Sequence, residues 1–350
     1  MKYHSRFLPN GSLPYSSIDS TTRLIVKLME NNPYLPLLPM LDEKESLVRL
    51  SLQNIPGIRP AKGNKVILST NSPSFKQGLV QLDTAYNHPN RETLAPYQVK
   101  SVYLEKYLQI IKKFKSKNAC FNILGPFTIS QMLLESSDME QLLLDMSNRK
   151  LFVQAVVVKA LRMIQLIKTV SPDTTPVIIL EEPLFTKLGD VKRCNEEITV
   201  DLITNMFIKL VEKLKSVGAL VAFQCFDKCD WKIPINAGVD IISFDAYNNP
   251  NNLSIIPDKV VEFLGRGGKI NWAIAPVAPE ALIKTINLDE LEKRLYATFE
   301  DLIVAGVPEK LVYNRSMVSV NGDLTRLPLI YAEKIAILTS QLSKKIPKKS

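Results

Sequence analysis

At 350 residues, with 46% apolar side chains and a net charge of +9, the chain can hold one large α/β domain or two moderate ones and is too apolar for global disorder. Its longest apolar run, "LFVQAVVVKAL", is broken by polar residues and falls short of a membrane span. The surplus charge sits partly in "KYLQIIKKFKSK" and "KKIPKKS", without interleaved aromatics, helix-turn-helix or zinc-finger spacing, so neither nucleic acid nor membrane is expected as a partner.

The N-terminus "MKYHSRFLPNGSLP" lacks a signal-peptide core, and the cysteines at 120, 194, 225 and 229 form no disulfide framework. A cytoplasmic location with reduced thiols is expected. A first strand is placed around "FLPNGSLP". The stretch 31–63, with Pro33, Pro36, Pro39, Pro56 and Pro60, reads as ordered loop and short helix over one end. Strands follow at "KVILST" (65–70), "ACFNIL" (119–124), "TPVIIL" (175–180), "ALVAFQC" (219–225), "VDIISF" (239–244), "KINWAIA" (269–275) and "KLVYNRSMVSV" (310–320). Between them, "DLITNMFIKLVEKLKSVGA" and "DELEKRLYATFEDLIVAGV" repeat apolar residues at helical spacing, with Gly218 and Gly306 where helix C-caps belong.

Nearly continuous apolar strands alternating with amphipathic helices imply a parallel sheet covered by helices. No G-x-G-x-x-G or P-loop follows a strand, and "GRGGK" precedes one. About eight strands without a dividing linker predict a single (β/α)8 barrel with an N-terminal extension, spanning 1–345, with a basic tail at 346–350.

The predicted strands end in Asn10 to Ser12, Glu181-Glu182, Gln224-Cys225, Asp245 and Asn321, and in a barrel such ends converge on one mouth. Gln224, Asp245, Glu182 and Asn321 are therefore expected to line one pocket. Glu182 and Asp245 offer two carboxylates for proton transfer or for an amino group, although Glu181 or Glu182 could instead cap the following segment. In "AFQCFDKCDW", Cys225 and Cys229 with Asp227 and Asp230 look like the start of a metal site. The only set that could complete it is Cys225, Cys229 and Asp245, without an imidazole, so no metal is expected.

"NGSLPYSS", "ILGPFTIS", "VIILEEPLF", "CDWKIPINAGVDIISFDAY", "LGRGGKINWAIAPV" and "SVNGDLTRLP", in this order, resemble the C-terminal domain of cobalamin-independent methionine synthase. The chain is most similar to the short stand-alone branch of that domain's superfamily with uroporphyrinogen decarboxylase. The resemblance implies a (β/α)8 barrel and a methyltransferase acting between a thiol and a corrinoid or folate carrier. It also implies a zinc held by an H-x-C stretch, an acid and a distal Cys. On this chain the His position falls on Gln224 or Phe223, the first Cys on Phe226 or Cys225, the acid on Asp245 and the last Cys on Asn321. The implied zinc site is degenerate. Asp245 and Glu182 are expected to be catalytic and Ser12, Gln224, Cys225 and Asn321 to bind a small-molecule substrate; Tyr15 stands where relatives carry His, and Arg326 is available to an anion. Two alternatives accompany it: a metal-independent uroporphyrinogen decarboxylase-like enzyme, and an inactive barrel that binds a small molecule or a corrinoid protein.

Overall fold

The computed structural model describes residues 5–60, 66–70, 72–133 and 143–349; His4, Lys65 and Ser350 lie outside them. A small antiparallel hairpin pairs β1 (Ile58–Pro60) with β2 (Val66–Leu68). The main sheet is parallel and holds β3 (Asn118–Leu124), β4 (Thr175–Glu181), β5 (Leu220–Gln224), β6 (Ile241–Phe244), β7 (Lys269–Ala275) and β8 (Ser316–Val320), paired in sequence order. Every residue of β3, β5, β6 and β8 is buried, which is why these runs read as mostly apolar.

Helices cross between the strands, and their ends are written locally. In the helix Val200–Ser216 the Thr199 hydroxyl accepts the Leu202 N–H at 3.1 Å. Its buried face carries Ile203, Phe207, Leu210 and Leu214, each contributing about 1.5–3 kcal/mol by burial. Gly218, at φ +82°, supplies the left-handed residue that turns the chain out of the helix. The helix Leu288–Val304 opens with a capping box between Asn287 and Glu290. The helix Met146–Val170 is buried without a break from 151 to 161, because it packs against the helices Pro73–Asn87, Leu104–Phe114 and Val200–Ser216 as well as β3 and β4. That environment explains "LFVQAVVVKAL"; among the described residues no helix is long and apolar enough to cross a membrane.

Aromatic rings tie the helices to the sheet. Phe127, Phe185, Phe223, Trp231, Phe244 and Trp272 follow one another at centroid separations of 5.0, 5.2, 6.1, 5.9 and 5.3 Å, mostly edge to face. Such pairs add about 0.5–1.5 kcal/mol each beyond area burial. Phe223 also meets the helix ring of Phe207 at 5.4 Å, so it faces outward from β5. Its neighbour Gln224 must then point to the opposite, inner face.

The predicted strand positions shift in three places. "KVILST" joins the hairpin instead of the main sheet, because Val66–Leu68 pairs with Ile58–Pro60. "KLVYN" forms the helix Glu309–Asn314, and β8 begins only at Ser316. The N-terminal segment and the proline-rich stretch contribute single parallel bridges: Phe7 to Val318 of β8, Ser12 to Leu37, and Tyr34 to Cys120 of β3. Pro33 and Pro36, which lack an N–H, limit the ladder that this second stretch can form.

Candidate functional site

Gln224 accepts hydrogen bonds at Oε1 from Asn10 Nδ2 at 3.2 Å and Ser243 Oγ at 3.3 Å. Asn271 Nδ2 continues the chain to Ser243 Oγ and Ser319 Oγ, both at 2.8 Å. Glu181 is in register with Gln224, Gln224 with Ser243, and Ser243 with Asn271. Register partners in a parallel sheet share a face, so these four side chains form one polar row across β4 to β7 on the inner face.

The row opens at its β4 end into a cavity of about 440 Å³ at the C-terminal ends of β4 and β5. Asn10, Ser12, Glu45, Glu181, Gln224, Phe226 and Asp323 line it, with no Lys, Arg or His among the described residues. The chain's cationic surplus is therefore carried elsewhere. Asp323 accepts from Ser12 Oγ at 3.3 Å and from the Thr325 N–H and hydroxyl at 2.9 and 2.7 Å. Glu181 accepts from Asn122 Nδ2 at 2.6 Å. Burial pushes its carboxyl up to about 7; the Asn122 bond opposes this, and the negative charge of Asp323 adds to it. Glu181 is thus an acid held near half-protonation at neutral pH, the condition general acid–base chemistry requires.

The residues singled out in the sequence separate into three groups. Ser12 and Gln224 line the cavity. Glu182 does not: it is fully buried beside Glu181 but on the opposite face, where its carboxylate accepts the N–H groups of Phe127 at 3.0 Å and Thr128 at 2.6 Å. Burial pushes Glu182 up to about 8, opposed by those bonds. It caps the helix Pro126–Met132, and the fit is tight enough that a Cβ on Gly125 would sit 2.1 Å from Glu182 Oε1.

Asp245 and Asn321 form a separate cluster and do not line the cavity. Asp245 Oδ1 accepts from the Tyr247 and Asn248 N–H groups at 3.1 and 3.0 Å and from Asn321 Nδ2 at 3.1 Å, while Oδ2 takes Asn248 Nδ2 at 2.6 Å. Asn321 Oδ1 accepts the Val277 N–H at 3.0 Å. Of Gln224, Asp245, Glu182 and Asn321, expected to share one pocket, only Gln224 lines this cavity. Tyr15 donates to Glu333, and Arg326 is exposed.

Cys225 is buried, with its thiol 3.6 Å from the Asp227 carbonyl. Burial pushes the Cys229 thiol well up, reinforced by its hydrogen bond to Cys225 and the charges of Asp230 and Glu182. It is a protonated, poorly nucleophilic thiol at neutral pH. Among the described residues no three His, Cys, Asp or Glu side chains are gathered to hold a metal ion.

The signal missed in the sequence was parity. Three strands, β5 to β7, pair an outward aromatic with an inward polar residue: Phe223 with Gln224, Phe244 with Ser243, Trp272 with Asn271. Carried to β4 by register, the same parity selects Glu181 instead of Glu182.

No family model matches the chain, and no curated protein matches it. Among solved structures it is similar to a Bacteroidetes-affiliated GH5 cellulase linked with a polysaccharide utilization locus, at TM-score 0.40 and 10% identity over 74% of this chain and 80% of that one. It is also similar to a GH5-4 broad-specificity endoglucanase from Clostridium longisporum, at TM-score 0.35 and 11% identity over 86% of this chain and 99% of that one. Likeness at this level says nothing about the reaction of this chain. The expected membership in the methionine synthase and uroporphyrinogen decarboxylase superfamily is corrected here: the two solved structures named are GH5 enzymes, not members of that superfamily. The methyltransferase reading is corrected with it; Cys229 is held as a thiol, and among the described residues no three His, Cys, Asp or Glu side chains are gathered to hold a metal ion. The decarboxylase alternative meets a cavity without the arginines an acidic tetrapyrrole requires.

Proposed function

We propose that the protein is an acid–base enzyme acting on a small polar molecule that is neutral or positively charged, with Glu181 moving the proton. The observation that carries this is Glu181 in a cavity with its carboxyl near 7, beside a second carboxylate and, among the described residues, no cationic side chain. A carboxyl poised there donates or accepts a proton at neutral pH with little driving force wasted. Asp323, Ser12, Asn10 and Gln224 would hold the substrate, and Phe226 would give it an apolar wall. Three carboxyl groups without a counter-charge disfavour anionic substrates.

The scaffold fits a single-domain, closed (β/α)8 barrel. The bridges Phe7–Val318, Ser12–Leu37 and Tyr34–Cys120 supply the contacts that would carry the sheet from β8 back to β3 through two very short strands. In that frame the cavity occupies the mouth where barrel enzymes carry out their chemistry.

The test is a hydrolysis screen of aryl esters, amides and glycosides with wild type and Glu181→Gln. The expected result is turnover by wild type with a pH limb near 7 and a loss of at least about a hundredfold in the variant. Equal rates from both proteins on every substrate turned over would remove Glu181 from the chemistry.

A further inference from the structure

The polar groups around the cavity are unevenly matched. Asn122 Nδ2 is committed to Glu181, which fixes its amide orientation, and leaves Asn122 Oδ1 buried without a partner among the described residues. Asn10 Nδ2 is committed to Gln224, and Asn10 Oδ1 is likewise buried and unpartnered. Both residues are more than nine-tenths buried, and Asn10 lines the cavity itself. An unmet buried acceptor costs about 1–3 kcal/mol, so Asn10, in the cavity wall, asks for a ligand that donates. Glu181, Asp323 and Glu45 add carboxylate oxygens, and Glu45 already takes the Val102 N–H at 2.9 Å and the Ser101 hydroxyl at 3.1 Å. The groups still seeking partners are acceptors, in a cavity of negative sign.

We infer that the cavity binds a small organic cation, a primary ammonium whose N–H groups are taken by Glu181, Asp323 and the orphaned amide oxygen of Asn10. An ammonium is a compact source of three donors and a positive charge. Glucose-like polyols would meet the oxygens but leave the carboxylate charges unpaired. A ligand carboxylate would meet no Lys, Arg or His among the lining residues, so the cation is one without its own acid group beside the amine. This assignment rests on the acid–base reading of the cavity and makes it specific. Bound beside Glu181, the cation favours the ionised carboxylate, so binding releases the Glu181 proton to solvent and leaves that oxygen as the base for the next step. The groups that face Glu181 in this coupling are Asn122 and Asp323.

The test is calorimetry of the full chain with n-propylammonium, ethanolamine and putrescine against 1-propanol, ethylene glycol and glucose, near pH 6 and near pH 8. The expected result is binding of the ammonium probes about tenfold tighter at the higher pH, from the rise in the ionised fraction of a group near 7. Proton release should show as a dependence of the heat on buffer ionisation. Glu181→Gln should weaken ammonium binding and flatten its pH dependence. Asp323→Asn should weaken binding and keep the dependence, so one misfolded variant does not decide the outcome. Polyols bound as well as ammonium probes, ammonium binding indifferent to pH, or no ammonium binding would overturn the inference. An NMR titration of the glutamate carboxyls separates the two levels: if Glu181 titrates near 7 while the probes fail, only the ligand class is wrong, whereas titration near an ordinary glutamate's value removes the acid–base reading as well.

Discussion

Replacing Glu181 by Gln keeps the shape and the hydrogen bond from Asn122 Nδ2, since the amide oxygen can accept it, and removes the charge. In the folded protein the Glu181 carboxyl lies near 7 against an ordinary glutamate's 4.5, so ionising it is harder folded than unfolded. The stability this protects is fully present below about 4.5 and is lost as pH rises toward and through about 7. Linkage with those two values gives a loss of about 1 kcal/mol near pH 5 and about 3 kcal/mol near pH 8. Glu181 keeps part of its surface open to the cavity, so the change between the two pH values is taken as about 2 kcal/mol. Glu182 titrates in an overlapping window, but it is common to both proteins and cancels in their difference. Urea unfolding of wild type and Glu181→Gln near pH 5 and near pH 8 should show the variant gaining about 2 kcal/mol on wild type across that interval, a midpoint shift of roughly 0.5–1 M. A stability difference that stays constant with pH would mean that Glu181 ionises as an ordinary surface acid, and both the proton-transfer and the cation readings would lose their basis.

Three further outcomes follow from the packing. Gly125→Ala places a methyl against the Glu182 carboxylate and should destabilise the fold by about 1–3 kcal/mol, read by thermal unfolding; no effect would mean that Glu182 can leave its cap freely. Asp245→Ala strips acceptors from two backbone N–H groups and from the Asn248 and Asn321 side-chain amides and should cost about 1–3 kcal/mol, while the thermal shift produced by a cavity ligand stays unchanged; loss of that ligand response would place Asp245 in the site. Lys159 is fully buried with its Nζ unpaired among the described residues, and burial pushes its ammonium down to about 7. Its depressed folded value costs stability below about 10.5 that is recovered as pH rises from about 7 toward it, so Lys159→Met should stabilise the protein most near and below neutrality by about 1–3 kcal/mol; equal or lower urea midpoints for the variant would reveal a partner for that amine.

The sequence by itself determined the parallel α/β sheet and the ends of the helices Val200–Ser216 and Leu288–Val304. Unbroken apolar runs such as "ALVAFQC" can be buried only with both faces covered, and Thr199, Asn287, Gly218 and Gly306 are local cap and turn signals whose chemistry does not depend on distant parts of the chain. The choice between adjacent residues was made by tertiary structure. Glu181 and Glu182 are the same residue type at the end of one strand, yet strand register turns the first into a polar cavity and the second into a helix cap. Cys225 and Cys229 have the spacing of ligands, but burial and the negative charge around Cys229 keep it a thiol. Asn10 and Asp323 lie more than 300 positions apart in sequence and meet in one cavity, because segments from both ends of the chain lie beside the same sheet, at β8 and along the Ser12–Leu37 bridge. No local pattern encodes a juxtaposition of that kind; it comes from the tertiary packing of both chain ends beside one sheet, and the cavity's acidic lining comes with it.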